Sequence, residues 1–491
     1  MNLMVLLVLT PLLGAFCTFV LPRQSRLLGM AVALVLVSAA LALAWQVSSS
    51  GPIRMVAGGW DVPLGIGLYA DGWSALMICL SASVGLGTSL YSLGYFGSHA
   101  NNHIDKSTSA GWWPLWLLLW AALNALFLSS DVFNLYVTLE LMGLAAVALV
   151  ALEAHAVAAA LRYLLVGLLG SMFYLLGVGL LYGLYGTVDM AELSVNVQSE
   201  PAAWVAMALM TGGLLLKAAL FPLHFWLPPA HANAPAPVSA VLSALVVKAA
   251  FYVLLRLWLG PFESLATQQV GQLLGVMGAG AVLWGSVQAL LAPRLKLVVA
   301  YSTVAQLGYL FLLFPLLGST EAGAIAWYGG IWLALSHGLA KAGLFMAAGT
   351  IMHAYGHDRV ADLSGTGQRL PVTLFAIGLA SVNLMGLPPS GAFVGKFLLL
   401  NAAFVSGQWW WALVLITGGV LAAAYSFRIL LHAFRNQESG TSYHKPHPVM
   451  EWSSLAMAVG AILLGMFSAQ PLELLMVGST LGELTLTEVA P

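Results

Sequence analysis

The chain reads as an all-α polytopic membrane protein with about fourteen transmembrane helices, and three observations predict it. Of its 491 residues, 60% are hydrophobic and 7% charged, against about 25% charged in a soluble domain. Apolar runs of roughly 20 residues, the length that crosses a hydrocarbon core, recur throughout. Four of the seven lysines lie inside such runs: Lys217, Lys248, Lys341 and Lys396, joined by one acid, Glu140. Each ionisable group near the bilayer centre costs about 2.5–3.5 kcal/mol, so five cost roughly 12–17 kcal/mol. A burden of that size points to a proton or cation path, because lysine gains and loses a proton readily once buried.

The predicted spans centre near residues 12, 37, 83, 120, 141, 173, 214, 247, 280, 307, 336, 388, 421 and 463. The first, MNLMVLLVLTPLLGAFCTFVLPRQSR, has no basic stretch before its apolar run and is expected to be a retained helix. The whole chain, 1–491, forms one membrane domain: helices 1–3 in 1–109, five-helix groups in 110–260 and 269–435, and a last helix in 450–477. Loop charge tests the even count. With the N-terminus outside, cytoplasmic loops and flanks collect Arg23, Arg26, Lys106, Arg162, Arg294, Lys296, Arg359, Arg369, Arg428, Arg435 and Lys445. The outer side keeps Arg54 and Arg256. Both termini are therefore expected outside, with the acidic tail of Glu473, Glu483 and Glu488.

Several function classes are excluded. A net charge of −1 gives no basic footprint for nucleic acid. Cys17 and Cys79 form no disulfide framework or metal spacing. Nucleotide loops, CxxC pairs, haem ligands and iron–sulfur ligands have no counterpart here, so no cofactor is expected in this chain. His353 and His357 lack further ligands nearby, and no metal site is expected. Trp112, Trp113 and Trp409–Trp411 read as interfacial anchors.

The most specific block is 213–256, GLLLKAALFPLHFWLPPAHANAPAPVSAVLSALVVKAAFYVLLR. Pro222 follows Lys217 by five residues, and the chain continues through His224 to Pro228-Pro229. Proline removes a backbone donor and breaks the helix, which a membrane tolerates only beside protein or a wet cavity. A relay from Lys217 through His231 or water to Lys248 is one reading; lysines snorkelling to the interface is the other. In 378–400, GLASVNLMGLPPSGAFVGKFLLL, Pro388 and Pro389 similarly interrupt a run just before Lys396. Two such interruptions in two five-helix groups that begin on opposite faces suggest inverted repeats. His337 and Lys341 share a helix face between them. Glu140 is the acid expected to pair with Lys217 and to switch its protonation by moving.

SDVFNLYVTLELMGLAAVALVAL, the 217–256 block, LKLVVAYSTVAQLGY, SHGLAKAGLFMAAG and GLPPSGAFVGKF together resemble the antiporter-like membrane subunits. That family spans Mrp-type cation/proton antiporters, respiratory complex I and membrane-bound hydrogenases. The resemblance implies fourteen helices with the seventh and twelfth broken, and a central row of ionisable groups. It implies that Glu140 and Lys217 form the coupled pair, that Lys248 bridges, that His337 and Lys341 connect, and that Lys396 is the twelfth-helix residue. It further implies a prokaryotic plasma membrane, partner membrane subunits and transported H+, with Na+ or K+ exchanged in Mrp-type members. GGWDVPLGIGLYADGWSALM is similar to the Mrp D-type and hydrogenase-associated branch. PPAHANAPAPVSA departs from the complex I subunit with an aromatic in place of His231, and the chain ends without a lateral-helix extension.

The reading is thus a non-catalytic, proton-translocating subunit, Mrp D-type first. The alternatives are a pump subunit of a complex I or hydrogenase type NADH/quinone or ferredoxin oxidoreductase, and the membrane partner of an inorganic-carbon uptake system. A passive scaffold requires the buried charges to be dispensable.

Overall fold

The computed structural model of the protein describes residues 2–60, 65–97, 106–318, 320–436 and 443–479. His99, His103, Glu483 and Glu488 lie outside the described residues, and the side chains of 106–110 and 320 are not described.

Among the described residues, twelve helices are long and apolar enough to cross a membrane. Three shorter apolar helices, Pro201–Lys217, Pro371–Met385 and Gly391–Val405, fill the remaining runs. The first of these stops at Lys217, and helix resumes at Leu227. Helix Pro371–Met385 ends on Gly386, which takes the left-handed conformation at φ 79°. Gly391–Val405 restarts after Ser390, whose side chain caps Phe393 N–H.

Burial sorts the spans into an inner set and a lipid-facing ring. Ala236–Trp258, Leu295–Leu316 and Glu321–Tyr355 are 100, 89 and 94% buried, whereas Leu3–Val20 and Pro448–Met466 bury 33 and 28%. The inner three carry Lys248, Lys296 and Lys341, so these lysines face protein and not lipid. With no hydrophobic drive between helices inside a bilayer, close approach depends on small residues. Gly170 and Gly213 meet in this way: a Cβ on Gly213 would lie 2.3 Å from the Gly170 carbonyl oxygen. That contact sets the Val157–Tyr185 helix against the one carrying Lys217.

Two expectations are corrected. The chain is not purely α: strands Ile53–Ala57 and Ile66–Ala70 form an antiparallel hairpin, pairing Ile53 with Ala70. Its alternating residues suit a half-exposed strand, and Leu68 bridges to Ser129 so that the hairpin covers one end of the bundle. Trp112 and Trp113 are not interfacial anchors. Trp112, Trp116 and Trp120 stack at 5.9 and 5.0 Å, all fully buried, because i, i+4 spacing aligns them on one inward face. Trp409 and Trp410 are exposed, whereas Trp411 is buried. Lys296, at the flank where the loop meets Leu295–Phe311, is buried at 2% exposure.

The two ends of the bundle differ in charge. One gathers Arg26, Arg294 and Arg428, bonded to Phe96 O, Asp358 and Ala292 O respectively. The other gathers Asp71, Asp131 and Asp189, each capping a helix start.

Gly213→Ala is expected to destabilise the fold by about 1–3 kcal/mol, the usual cost of overpacking. Thermal unfolding in detergent checks it; a wild-type midpoint would mean that the two helices separate at no cost.

Candidate functional site

The four lysines singled out by sequence are all buried, with exposures of 8, 0, 0 and 8% for Lys217, Lys248, Lys341 and Lys396. Among the described residues, Lys217 alone of the four has a carboxylate partner, with its Nζ donating to Glu140 Oε1 at 3.2 Å. Ser171 Oγ–H donates to the same oxygen. Lys217 sits in the last turn of its helix, where the C-terminal end of the macrodipole favours a cation. A cavity of about 20 Å³ lies beside the pair, lined by Gly143, Tyr163, Gly167 and Val246 among others. That is room for one water molecule.

The other three lysines are held by neutral oxygens. Lys248 follows a π-helical stretch, Leu242–Val246, in which the Val247 N–H reaches back five residues to the Leu242 carbonyl. Such π-turns recur at functional sites; here the Lys248 ammonium donates to the Ser243 carbonyl at 2.8 Å. Lys341 donates to the Val299 carbonyl at 2.8 Å and to Ser302 Oγ. Lys396 donates to the Leu384 and Met385 carbonyls at 2.9 and 3.3 Å. These are last-turn carbonyls of the interrupted helix, left without an intrahelical partner. The ammonium also lies 4.3 Å from the Tyr309 ring centroid, a cation–π contact.

A polar stripe that sequence reasoning missed runs past these sites along helix Leu295–Phe311. Thr303 Oγ1 lies 2.8 Å from Ser243 Oγ and donates to Val299 O, the oxygen that holds Lys341. Gln306 donates to Leu384 O, which also receives Lys396. Val299, Ser302, Thr303, Gln306 and Tyr309 follow 3.6-residue periodicity, so one helix face touches the surroundings of Lys248, Lys341 and Lys396 in turn. The signal was present in LKLVVAYSTVAQLGY as a polar stripe. At the start of that helix, Lys296 Nζ donates to Ala234 O, and its backbone N–H to Asp358.

The histidines are placed unevenly. His337 is fully buried, and neither ring nitrogen has a protein hydrogen-bond partner among the described residues. His231 is buried against Phe345, with ring centroids 5.1 Å apart and Nδ1 unpartnered. His224 stacks on Phe221 at 5.5 Å, in the gap that holds Pro222. Pro228 lies in the short helix Leu227–Asn233; Pro388 and Pro389 lie in the gap before Gly391. No direct bond joins Lys217 to His231 or Lys248 among the described residues. No group of three or more His, Cys, Asp or Glu side chains with metal-site geometry occurs there either.

The membrane-length helices and the buried lysines define the class of polytopic membrane proteins with ionisable groups in their interior. Residues 129–422 match the family model described as NADH:quinone oxidoreductase/Mrp antiporter, TM. The chain is 35% identical to NADH-quinone oxidoreductase subunit N of Desulforudis audaxviator over 96% of each chain. It is 29% identical to the D subunit of the Na(+)/H(+) antiporter of Bacillus subtilis, over 90% of this chain and 88% of that one. A polypeptide in the structure of the Mrp complex from Dietzia sp. superposes with a TM-score of 0.86 at 26% identity, covering 96% of this chain and 95% of that one. The protein belongs to the NADH:quinone oxidoreductase/Mrp antiporter membrane family, as an antiporter-like subunit.

Gly386→Ala is expected to displace Lys396, because its Cβ would meet Lys396 Cδ at 2.6 Å at a backbone position already favouring glycine. Proton transport should fall at least about tenfold, the scale of a mispositioned proton-transfer group. Transport at the wild-type rate would mean that Lys396 need not sit on the Leu384 carbonyl.

Proposed function

We propose that this chain translocates protons within a multisubunit membrane complex, in the manner of the D-type subunit of Mrp-type Na+(K+)/H+ antiporters. The Glu140–Lys217 ion pair, set at the edge of a row of carbonyl-held lysines, carries the proposal. Moving Glu140 away favours the neutral amine; returning it favours the ammonium. A proton released at Lys217 then shifts charge along Lys248, Lys341 and Lys396, with His337, His231 and His224 as relay groups.

Fourteen crossings make up this reading: twelve continuous spans plus two interrupted ones, 201–233 and 371–405. Five crossings on each side of the 260–268 connection form the inverted repeats, and the arginine-rich end faces the cytoplasm. Both termini then lie outside. The architecture shared with the Dietzia Mrp polypeptide supports the antiporter reading. The 35% identity to a subunit N supports a redox-driven pump as the second reading.

Glu140→Ala and Lys217→Ala should each lower coupled proton transport at least about a hundredfold, within the range of proton-transfer groups, while the complex still assembles. Transport at normal rates in both variants would sink the proposal. Purification of the tagged chain from its native membrane, with mass spectrometry, separates the two readings. Several small hydrophobic subunits and no redox protein are expected; iron–sulfur or nickel–iron subunits would select the pump module.

A further inference from the structure

The proton path needs a way out of the bundle, and one cavity lies on the same helix face as Lys248. It holds about 320 Å³ at the carboxylate-rich end and is lined by Arg54, Ser130, Arg256 and Glu263 among others. Its floor is an ion pair. Arg256 Nη1 and Nη2 donate to the two Asp71 carboxylate oxygens at 2.5 and 2.6 Å, and the Asp71 side chain is only 4% exposed. Arg256 also donates to Ser74 Oγ at 2.9 Å, and Ser74 Oγ lies 3.0 Å from the Tyr252 hydroxyl. Lys248, Tyr252 and Arg256 succeed one another at four-residue steps along Val247–Trp258. They therefore occupy one face; the Lys248 ammonium reaches back to the Ser243 carbonyl, and the Tyr252 hydroxyl donates to the Phe127 carbonyl at 2.8 Å. On the rim, Arg54 lies over the Tyr69 ring at 4.9 Å. Burial, with Asp71 beside it, holds the Tyr69 phenol above its ordinary range, so it stays a neutral hydroxyl.

We propose that this cavity is the outer aqueous port of the proton path, closed by the Arg256–Asp71 pair and joined to Lys248 through the Ser74 and Tyr252 hydroxyls. The inference rests on the proton-translocating reading above. When the pair parts, the Lys248 ammonium swings from the Ser243 carbonyl toward Tyr252, one turn further along the helix, and gives a proton to water between them. Tyr252, its hydroxyl turned from the Phe127 carbonyl to Ser74, takes that proton as it yields its own to Ser74, and Ser74 yields its own to water in the cavity. Lys248 is left as the neutral amine, both hydroxyls keep their proton count, and one hydronium leaves. A bidentate, largely buried pair suits a gate, because it holds strongly when closed and resists opening through the cost of stranding either charge.

The test uses the whole complex in native membrane vesicles. Ser130→Cys is placed in a background of Cys17→Ser and Cys79→Ser and treated with a membrane-impermeant, charged methanethiosulfonate from the outer side. Labelling should proceed, and proton transport should drop at least about tenfold, as for loss of a proton-transfer step. Tyr252→Phe keeps the ring against Trp73 and Phe127 but removes the hydroxyl, and should lower transport by a similar factor in an assembled complex. No labelling from the outer side, labelling without loss of transport, or a fully active Tyr252→Phe would each overturn the port. Unlabelled vesicles that move no protons at all would instead overturn the proton-translocating reading itself.

Discussion

A cation inside a bilayer must find partners, and the way this protein supplies them organises the site. Among the described residues, only Lys217 of the four lysines is paired with a carboxylate. Lys248, Lys341 and Lys396 rest on backbone carbonyls of Ser243, Val299, Leu384 and Met385. Those oxygens come from a π-turn, from a helix that hydroxyls bridge, and from an interrupted helix end. A carbonyl steadies an ammonium without binding it as a carboxylate would, and it leaves no stranded charge when the proton goes. The break after Met385 thus supplies the carbonyls on which Lys396 rests.

The Glu140–Lys217 pair then takes on a distinct part. Glu140 lies at the margin of the bundle, with a side chain 19% exposed, whereas Lys217 is 7% exposed. From there the polar face of Leu295–Phe311 touches the surroundings of the remaining lysines, so one rigid helix keeps their spacing constant. Gly170 against Gly213 does the same for the Lys217 helix.

Much of this was legible in the residues. A lysine within an apolar run, or Pro388-Pro389 before Lys396, stands out because a membrane penalises both strongly. Glu140 was identifiable as the partner of Lys217 for the same reason. What escaped notice carries little penalty or looks ordinary. Lys296 follows Arg294 at a helix start and so reads as a loop-flank cation, although it is buried. Serine and threonine within a membrane helix often bond their own backbone, as Thr350 does to Met346. Ser243, Ser302 and Thr303 therefore become distinguishable only once the facing helices are in place. The Trp112–Trp116–Trp120 stack has the composition of an interfacial belt, and only burial tells the two apart.

The π-turn at Leu242–Val246 has an evolutionary corollary. It amounts to one residue more than a regular helix needs, and everything after it on Val247–Trp258 owes its rotational phase to that surplus. Deleting any one residue there would swing Lys248, Tyr252 and Arg256 together by about 100°. A change of length in Leu242–Val246 therefore disturbs all three side chains at once, which a single substitution there does not. Across relatives, this segment should hold its residue count more tightly than its residue types.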